Sequence, residues 1–184
     1  MSTTLRVTAT LAAPELVLRP WRADDVPALL DAYRDPELLA RTRRPVATPA
    51  QARRWIDRAR QGWAADRSFN FAVCETVPGT DARPLVACVV VKDVRPGRPD
   101  AEVGYWTAAP ARGRGVAPRA LDAVSRWAFT RFAAVGLTRL DLLHQVDNVA
   151  SCRVAEKAGY DFVEVLPARP PFPLDGHRHV RLRG

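Results

Sequence analysis

The sequence predicts a mixed α/β fold, with a mostly antiparallel central sheet of about seven strands flanked by about four helices. Three observations lead there. The apolar pattern changes between helical and alternating spacing several times along the 184 residues. Proline- and glycine-bearing clusters such as "VPGTDA" and "RPGRPD" punctuate those changes. After three consecutive strand-like runs, helices and strands alternate, so helices must cover both faces of one sheet. A single domain spanning residues 1–184 is expected, long enough to bury a sizeable core.

"ELVLRPW" (Glu15 to Trp21) reads as an extended run. "RADDVPALLDAYRD" follows it at helical spacing, with Asp24 or Asp25 as N-cap and Val26, Leu29, Leu30 and Tyr33 on one stripe. A second helix begins at "TPAQ", where Thr48 caps, Pro49 takes the first helical position and Gln51 closes a capping box. It should run to about Ala65, with Trp55, Ile56, Ala59 and Trp63 along one side. "SFNFAVCE", "PLVACVVVKDV" and "AEVGYWT" then form an antiparallel meander, the middle run being β-branched and continuous as in a central strand. A helix from about Ala117 to Val135 ends at Gly136, "RLDLLH" is a strand, and "DNVASCRVAEKAG" is a helix ended by Gly159. "YDFVEVL", a proline-rich loop and the edge strand "HRHVRLR" complete the chain. A β-helix-β unit therefore spans roughly Ala101 to His144, and a crevice opens at such a strand-end connection.

Composition narrows the function. Hydrophobic residues make up 47% and charged residues 26%, ordinary for a soluble globular protein. No apolar run approaches the ~18–20 residues of a membrane span, and the N-terminus lacks the pattern of a cleaved secretory signal. A cytoplasmic protein without membrane association is expected. Cys74, Cys88 and Cys152 lack CxxC spacing and read as buried free thiols in a reducing compartment. His177 and His179 alternate on one strand face, but no neighbouring cysteine or acidic pair completes a ligand set, so no metal is expected.

The net charge of +8 and pI near 10.4 invite a nucleic-acid reading. However, the basic residues are nearly all arginine, with lysine only at Lys92 and Lys157, and Ile56 is the sole isoleucine. Such a bias fits a GC-rich genome. The arginines are scattered, with only short clusters such as "RTRR" (Arg41 to Arg44). An anionic ligand is suggested and a polynucleotide is not required.

The anion has a natural place. Arg112, Gly113, Arg114, Gly115, Val116 and Ala117 join a strand end to a helix start. There, unpaired backbone amides and the positive helix end converge on one point. Gly113 and Gly115 open backbone angles closed to other residues, and Arg112 and Arg114 add charge-assisted donors. The run lacks the Gly-Lys-Ser/Thr of a nucleotide P-loop and the third glycine of a dinucleotide fingerprint.

Taken in order, "AEVGYWT", Arg112-x-x-Gly115-x-Ala117, "LDLLH" and "NVASCRVAEKAGY" resemble the GNAT superfamily of acyl-CoA-dependent N-acyltransferases. The branch most resembled is that of the bacterial ribosomal-protein N-terminal acetyltransferases (Rim-type), whose opening strand and helix "LVLRPWRADDVPAL" also resembles. The likeness covers roughly Glu15 to Leu166. It implies a GNAT-like fold, acetyl-CoA as cosubstrate and no metal. It also implies that the pantetheine arm pairs with Trp106, Thr107 and Ala108 between two splayed strands. The pyrophosphate would lie on the amides of Gly113, Arg114, Gly115, Val116 and Ala117 beside Arg112, with Arg153 or Arg119 for the 3′-phosphate. Asn148 would lie against the pantetheine, or else act as the helix N-cap. Ser151 would sit near the thioester sulfur and donate to the departing thiolate.

A base is needed to take the amine's proton. Glu102, a charge inside an otherwise apolar strand, is the first candidate, and the alternative is a surface ion pair. His144 at the end of the partner strand is the second. Cys152, about 100° round the helix from Ser151, should point elsewhere. Direct transfer in a ternary complex is expected, without a covalent acyl-enzyme. The acceptor would be a primary amine, either a protein N-terminus or a small molecule, lying among Tyr33, Asp35, Trp55, Trp63 and Phe172. A monomer or homodimer is expected. The other class kept open is an RNA- or ribosome-associated binding protein, or an aminoacyl-tRNA-dependent transferase, on the same fold.

Overall fold

A computed structural model describes residues 3–42 and 45–184. Arg43 and Arg44 of the "RTRR" cluster lie outside the described residues. Among the described residues, eight strands form one sheet: β1 (Leu5–Val7), β2 (Leu16–Pro20), β3 (Ser68–Glu75), β4 (Leu85–Lys92), β5 (Asp100–Thr107), β6 (Arg139–Gln145), β7 (Asp161–Leu166) and β8 (Gly176–Leu182). Their spatial order is β1-β2-β3-β4-β5-β6-β8-β7. Five helices flank them: α1 (Val26–Ala32), α2 (Pro36–Arg41), α3 (Pro49–Ala64), α4 (Val116–Arg131) and α5 (Val149–Lys157). All neighbouring strands run antiparallel except β5 and β6, which the α4 crossover makes parallel. The structure adds β1 and α2 to the sequence expectation. β1 has three residues and α2 six, each too short to display a period, although Asp35 as N-cap and Pro36 after it announce α2.

The sheet's two faces bury different cores. Phe69, Phe71 and Val73 on β3, Val89 and Val91 on β4, and Leu140 and Leu142 on β6 pack under Ala120, Leu121, Val124 and Phe129 of α4. On the other face Ala72, Cys88 and Trp106 join Trp21, Leu29, Tyr33, Ala52 and Ile56 from the α1 and α3 side. Strand alternation thus sends odd and even residues of β3 to different layers. Each large aliphatic so buried contributes about 1.5–3 kcal/mol. The α3 start forms as its sequence predicts, with Thr48 Oγ1 accepting from the Gln51 amide at 3.2 Å and Gln51 Oε1 accepting in return from the Thr48 amide at 3.2 Å.

The register of β5 against β6 positions the site. The pairs run from Asp100↔Arg139 to Val103↔Leu142 and stop there. β5 continues to Thr107 against β4, while β6 continues to Gln145 against β8. The two parallel strands therefore part after Val103 and Leu142, and each keeps its outer neighbour. The sheet opens like a V.

Candidate active site

The V leads to a cleft whose walls come from β5, α2, the loop before α4, and α5. Its floor carries Tyr105, Trp106 and Thr107. The loop contributes Ala111, Arg112, Gly113 and Gly115, followed by Val116 and Ala117 of α4. Gly113 and Gly115 have φ of +72° and +73°, the left-handed region that glycine enters without a Cβ penalty. Gly115 is the N-cap of α4 and supplies no capping side chain. Among the described residues, no backbone or side-chain acceptor takes the amides of Gly113 through Ala117. An α-helix start left open in this way is a place for an anion.

α5 forms the facing wall. Asn148, Ser151, Val154 and Lys157, spaced three apart, all line the cleft, and so do Ala150 and Arg153. Asn148 is the α5 N-cap, its Oδ1 accepting from the Ser151 amide at 3.2 Å. The Ser151 hydroxyl, buried, lies 2.9 Å from that of Tyr105. Burial pushes the Tyr105 phenol up from its ordinary value, and the bond to Ser151 only partly offsets that, so the pair holds two neutral hydroxyls. Four basic side chains (Arg41, Arg112, Arg153 and Lys157) and one acidic side chain (Glu37) line the cleft. A long, anionic, peptide-like ligand fits this set of donors and charges.

Some expected residues stand differently. Arg112 lines the cleft, yet its guanidinium is spent on two carboxylates of the α2 turn, Asp35 and Glu37, the latter at 2.6 Å. Burial pushes the Asp35 carboxyl up, but Arg112 and the Glu37 and Leu38 amides outweigh this and hold it below the ordinary value. Arg114 turns away onto Glu75 and lines no part of the cleft. The two arginines brace the loop, and its acceptor-free amides are left at the cleft. Ala108 is outside the lining, with its amide donated to the Val86 carbonyl at 2.9 Å and its carbonyl accepting from Ala111 at 2.9 Å. Arg119 binds the carbonyls of Thr8 and Pro14, at 3.0 and 2.9 Å, and is likewise outside.

Glu102 lies before the point where the strands part. It pairs with Lys92 at 2.7 Å and sits opposite Asp141 in register, outside the cleft lining. This is the ion-pair alternative for that residue. His144 also falls outside the lining: its Nδ1 donates to the Gln145 carbonyl at 2.9 Å and its Nε2 faces Cys152 Sγ at 3.6 Å. Cys152 does point away from Ser151's cleft, toward three histidines.

A second recess adjoins the first, with Arg41 shared by both. It is lined by Tyr33, Trp55 and Phe172, three of the expected acceptor walls, together with Ala40, Thr42, Gln145, Pro171 and Pro173. Trp63 belongs instead to the core, stacked edge-on against Phe69 and Phe71 and donating to the Asn70 carbonyl at 2.9 Å. Asp35 is occupied by Arg112. Tyr105, Lys157 and Arg41 carried no role in the sequence reading. The three-residue spacing of Asn148, Ser151 and Val154 points on to Lys157, and strand alternation puts Tyr105 on the same face as Val103.

The family model for the acetyltransferase (GNAT) domain matches residues 15–161. The chain belongs to the GNAT acetyltransferase family. As a member it is an acyl-CoA-dependent N-acetyltransferase. Among solved structures, this acetyltransferase is similar to RimL, a ribosomal L7/L12 alpha-N-protein acetyltransferase in complex with coenzyme A. The identity is 17%, the TM-score 0.81, and the match covers 97% of this chain and 98% of that one. RimJ of Mycobacterium smegmatis, in complex with CoA-disulfide, matches at 19% identity and a TM-score of 0.77, over 98% and 86% of the two chains. The microcin C7 self-immunity acetyltransferase MccE, in complex with acetyl-CoA and AMP, matches at 15% identity and 0.77, over 91% and 92%. At these identities the likeness is one of fold. No match was found among the curated proteins. No described helix of the acetyltransferase is long and apolar enough to cross a membrane.

Proposed function

We propose that this acetyltransferase moves an acetyl group from acetyl-CoA directly to a primary amine, both substrates bound together, and that the amine is a protein N-terminus. The observation that carries the reading is the parting of β5 from β6 after Val103 and Leu142, with acceptor-free amides at Gly113 to Ala117 just beyond it. Coenzyme A, when bound, supplies an acyl thioester and a thiol leaving group. The Gly113–Ala117 amides and the α4 dipole hold its pyrophosphate. Arg153 and Lys157 form no ion pair among the described residues and serve the remaining phosphate. The unpaired inner edge of β5 at Trp106 and Thr107 orients the arm.

The Tyr105–Ser151 hydroxyl pair donates a proton where the thiolate leaves. Neither Glu102 nor His144 enters this scheme, since each is committed elsewhere. The amine arrives neutral from solvent; once it has attacked, its surplus N–H proton passes to the hydroxyl pair and replaces the one given to the thiolate, so amide and coenzyme A thiol form without a separate base, and the gain comes from positioning two reactants. A protein N-terminus suits an open recess of Tyr33, Trp55 and Phe172, which grips an extended chain by apolar contact. RimL, of the same fold, is a ribosomal-protein acetyltransferase.

Thiol release tests this directly. Acetyl-CoA is offered with short peptides of free and of blocked N-terminus, and with small amines. Turnover of free-N-terminal peptides only is expected. Turnover of small amines alone overturns the protein acceptor, and no thermal shift with any acyl-CoA overturns the placement of the coenzyme.

A further inference from the structure

We propose that His144, Cys152, His177 and His179 form a closed, four-ligand zinc site that staples α5 to β6 and β8 beside the acyl cleft.

The cluster is assembled by register. His144 on β6 is directly opposite His177 on β8, and His179 opposite Leu142. Cross-strand partners share a face, so all three imidazoles rise on the side that Leu140 and Leu142 bury beneath the helices. α5 crosses that face and brings Cys152 down among them. Each residue offers one ligand atom, and the four atoms all lie within 4.8 Å of one another. Cys152 Sγ is 3.6 Å from His144 Nε2 and 3.3 Å from His177 Nδ1.

The two sulfur–nitrogen distances match edges of a zinc tetrahedron. Zn–S near 2.3 Å and Zn–N near 2.0–2.1 Å at tetrahedral angles give S···N edges of about 3.6 Å and N···N edges of about 3.4 Å. The longest separation, at most 4.8 Å, exceeds a tetrahedral N···N edge by roughly 1.4 Å.

The lone pairs are also prepared. His144 donates from Nδ1 to the Gln145 carbonyl, which leaves Nε2 as the bare nitrogen facing the sulfur. This is the backbone-carbonyl support that metal-bound imidazoles commonly have. His179 is 1% exposed, and neither of its ring nitrogens makes a hydrogen bond of ordinary geometry. A buried polar nitrogen left so carries a desolvation cost that a metal bond removes. Phe162 closes the outside, its ring 5.1 Å from His177 and 5.6 Å from His179.

One thiolate and three imidazoles select a borderline-soft divalent ion of tetrahedral preference over magnesium or calcium. With four protein ligands the site is structural rather than hydrolytic. Binding releases the Cys152 thiol proton to solvent and changes no oxidation state. Because Cys152 follows Ser151, the staple also fixes the α5 turn that presents Ser151 to Tyr105.

Metal-stripped full-length protein is titrated with Co²⁺ and then with Zn²⁺, read by absorbance. Expected is one equivalent of tetrahedral Co²⁺ with a thiolate-to-metal charge-transfer band, bleached by one equivalent of Zn²⁺. Cys152→Ser should abolish that band, and His179→Ala should weaken binding by more than about 100-fold, beyond what loss of a supporting residue costs. Should either variant fail to fold, wild-type protein decides alone: Zn²⁺ should slow alkylation of Cys152 in the folded state, located by mass spectrometry. Absence of a saturable Co²⁺ spectrum, an unchanged spectrum in Cys152→Ser, or alkylation of Cys152 at the same rate with and without Zn²⁺ overturns the proposal.

Discussion

The cleft at the parted strands and the recess beside it meet at Arg41 but are built from different materials. The first is made of backbone: two left-handed glycines, an uncapped helix start and a strand edge that loses its partner. The second is made of side chains from distant segments, Tyr33 on the α1 end, Trp55 on α3 and Phe172 on the loop before β8. Backbone groups are the same in any sequence that reaches this conformation, so the first cleft suits a ligand common to a whole family. Side chains can be exchanged without disturbing the sheet, so the second can change acceptor. If the contrast holds, mutations in the two places should separate cleanly in kinetics.

The largest effect is expected at the hydroxyl pair between them. Ser151→Ala should lower kcat by about 100-fold, the lower end of general-acid contributions, with the KM for acetyl-CoA unchanged. Tyr105→Phe should do much the same, and the double variant should cost less than the product of the two, since both belong to one hydrogen bond. Steady-state kinetics on the three proteins checks it.

Gly115→Val comes next. Open space surrounds the position a Cβ would take, so the penalty is backbone strain alone at φ +73°. A β-branched residue there costs about 1–3 kcal/mol, and the loop relieves it by abandoning the phosphate geometry. Calorimetry should show acetyl-CoA affinity down roughly 10–100-fold with the acceptor's KM little changed.

Phe172→Ala probes the other wall. Losing part of an aromatic contact is expected to raise the acceptor's KM by about 5-fold, near 1 kcal/mol, and to leave the KM for acetyl-CoA alone. An equal rise in both would break the separation of the two clefts.

The smallest effect is a pH dependence. The Asp35 carboxyl lies below its ordinary value of 3.8 because Arg112 and two amides favour its charged form. A lowered carboxylate contributes stability that is present above that ordinary value and is lost as pH falls through the lower, folded one. Wild-type melting temperature should therefore drop more steeply below pH ~4 than that of Arg112→Ala, by an amount equivalent to about 1 kcal/mol or less.

Much of the scaffold was legible in the sequence because its signals are local. The Thr48–Gln51 capping box, the alternation within Ser68–Glu75 and the left-handed glycines act over a few residues, and each appears where expected. That the Gly113–Ala117 loop and one face of α5 line a common cleft was suggested by local signals as well, the glycine pair and the three-residue spacing on α5. The partners of Arg112 and Arg114 were not legible, because a guanidinium reaches any carboxylate the fold brings near, and Asp35 and Glu75 lie 77 and 39 residues away. The partner of Glu102 was hidden for the same reason, since only strand pairing sets Lys92 beside it.

Where the main chain turns, caps and alternates was thus determined by the sequence alone, because each choice is settled among residues a few positions apart. What faces what was decided only by tertiary structure. A histidine opposite a histidine, a cysteine dropped among them, and an arginine clasped by the α2 turn all depend on strand register and helix crossing. These are set by burial of the whole core, and no short window of residues contains them.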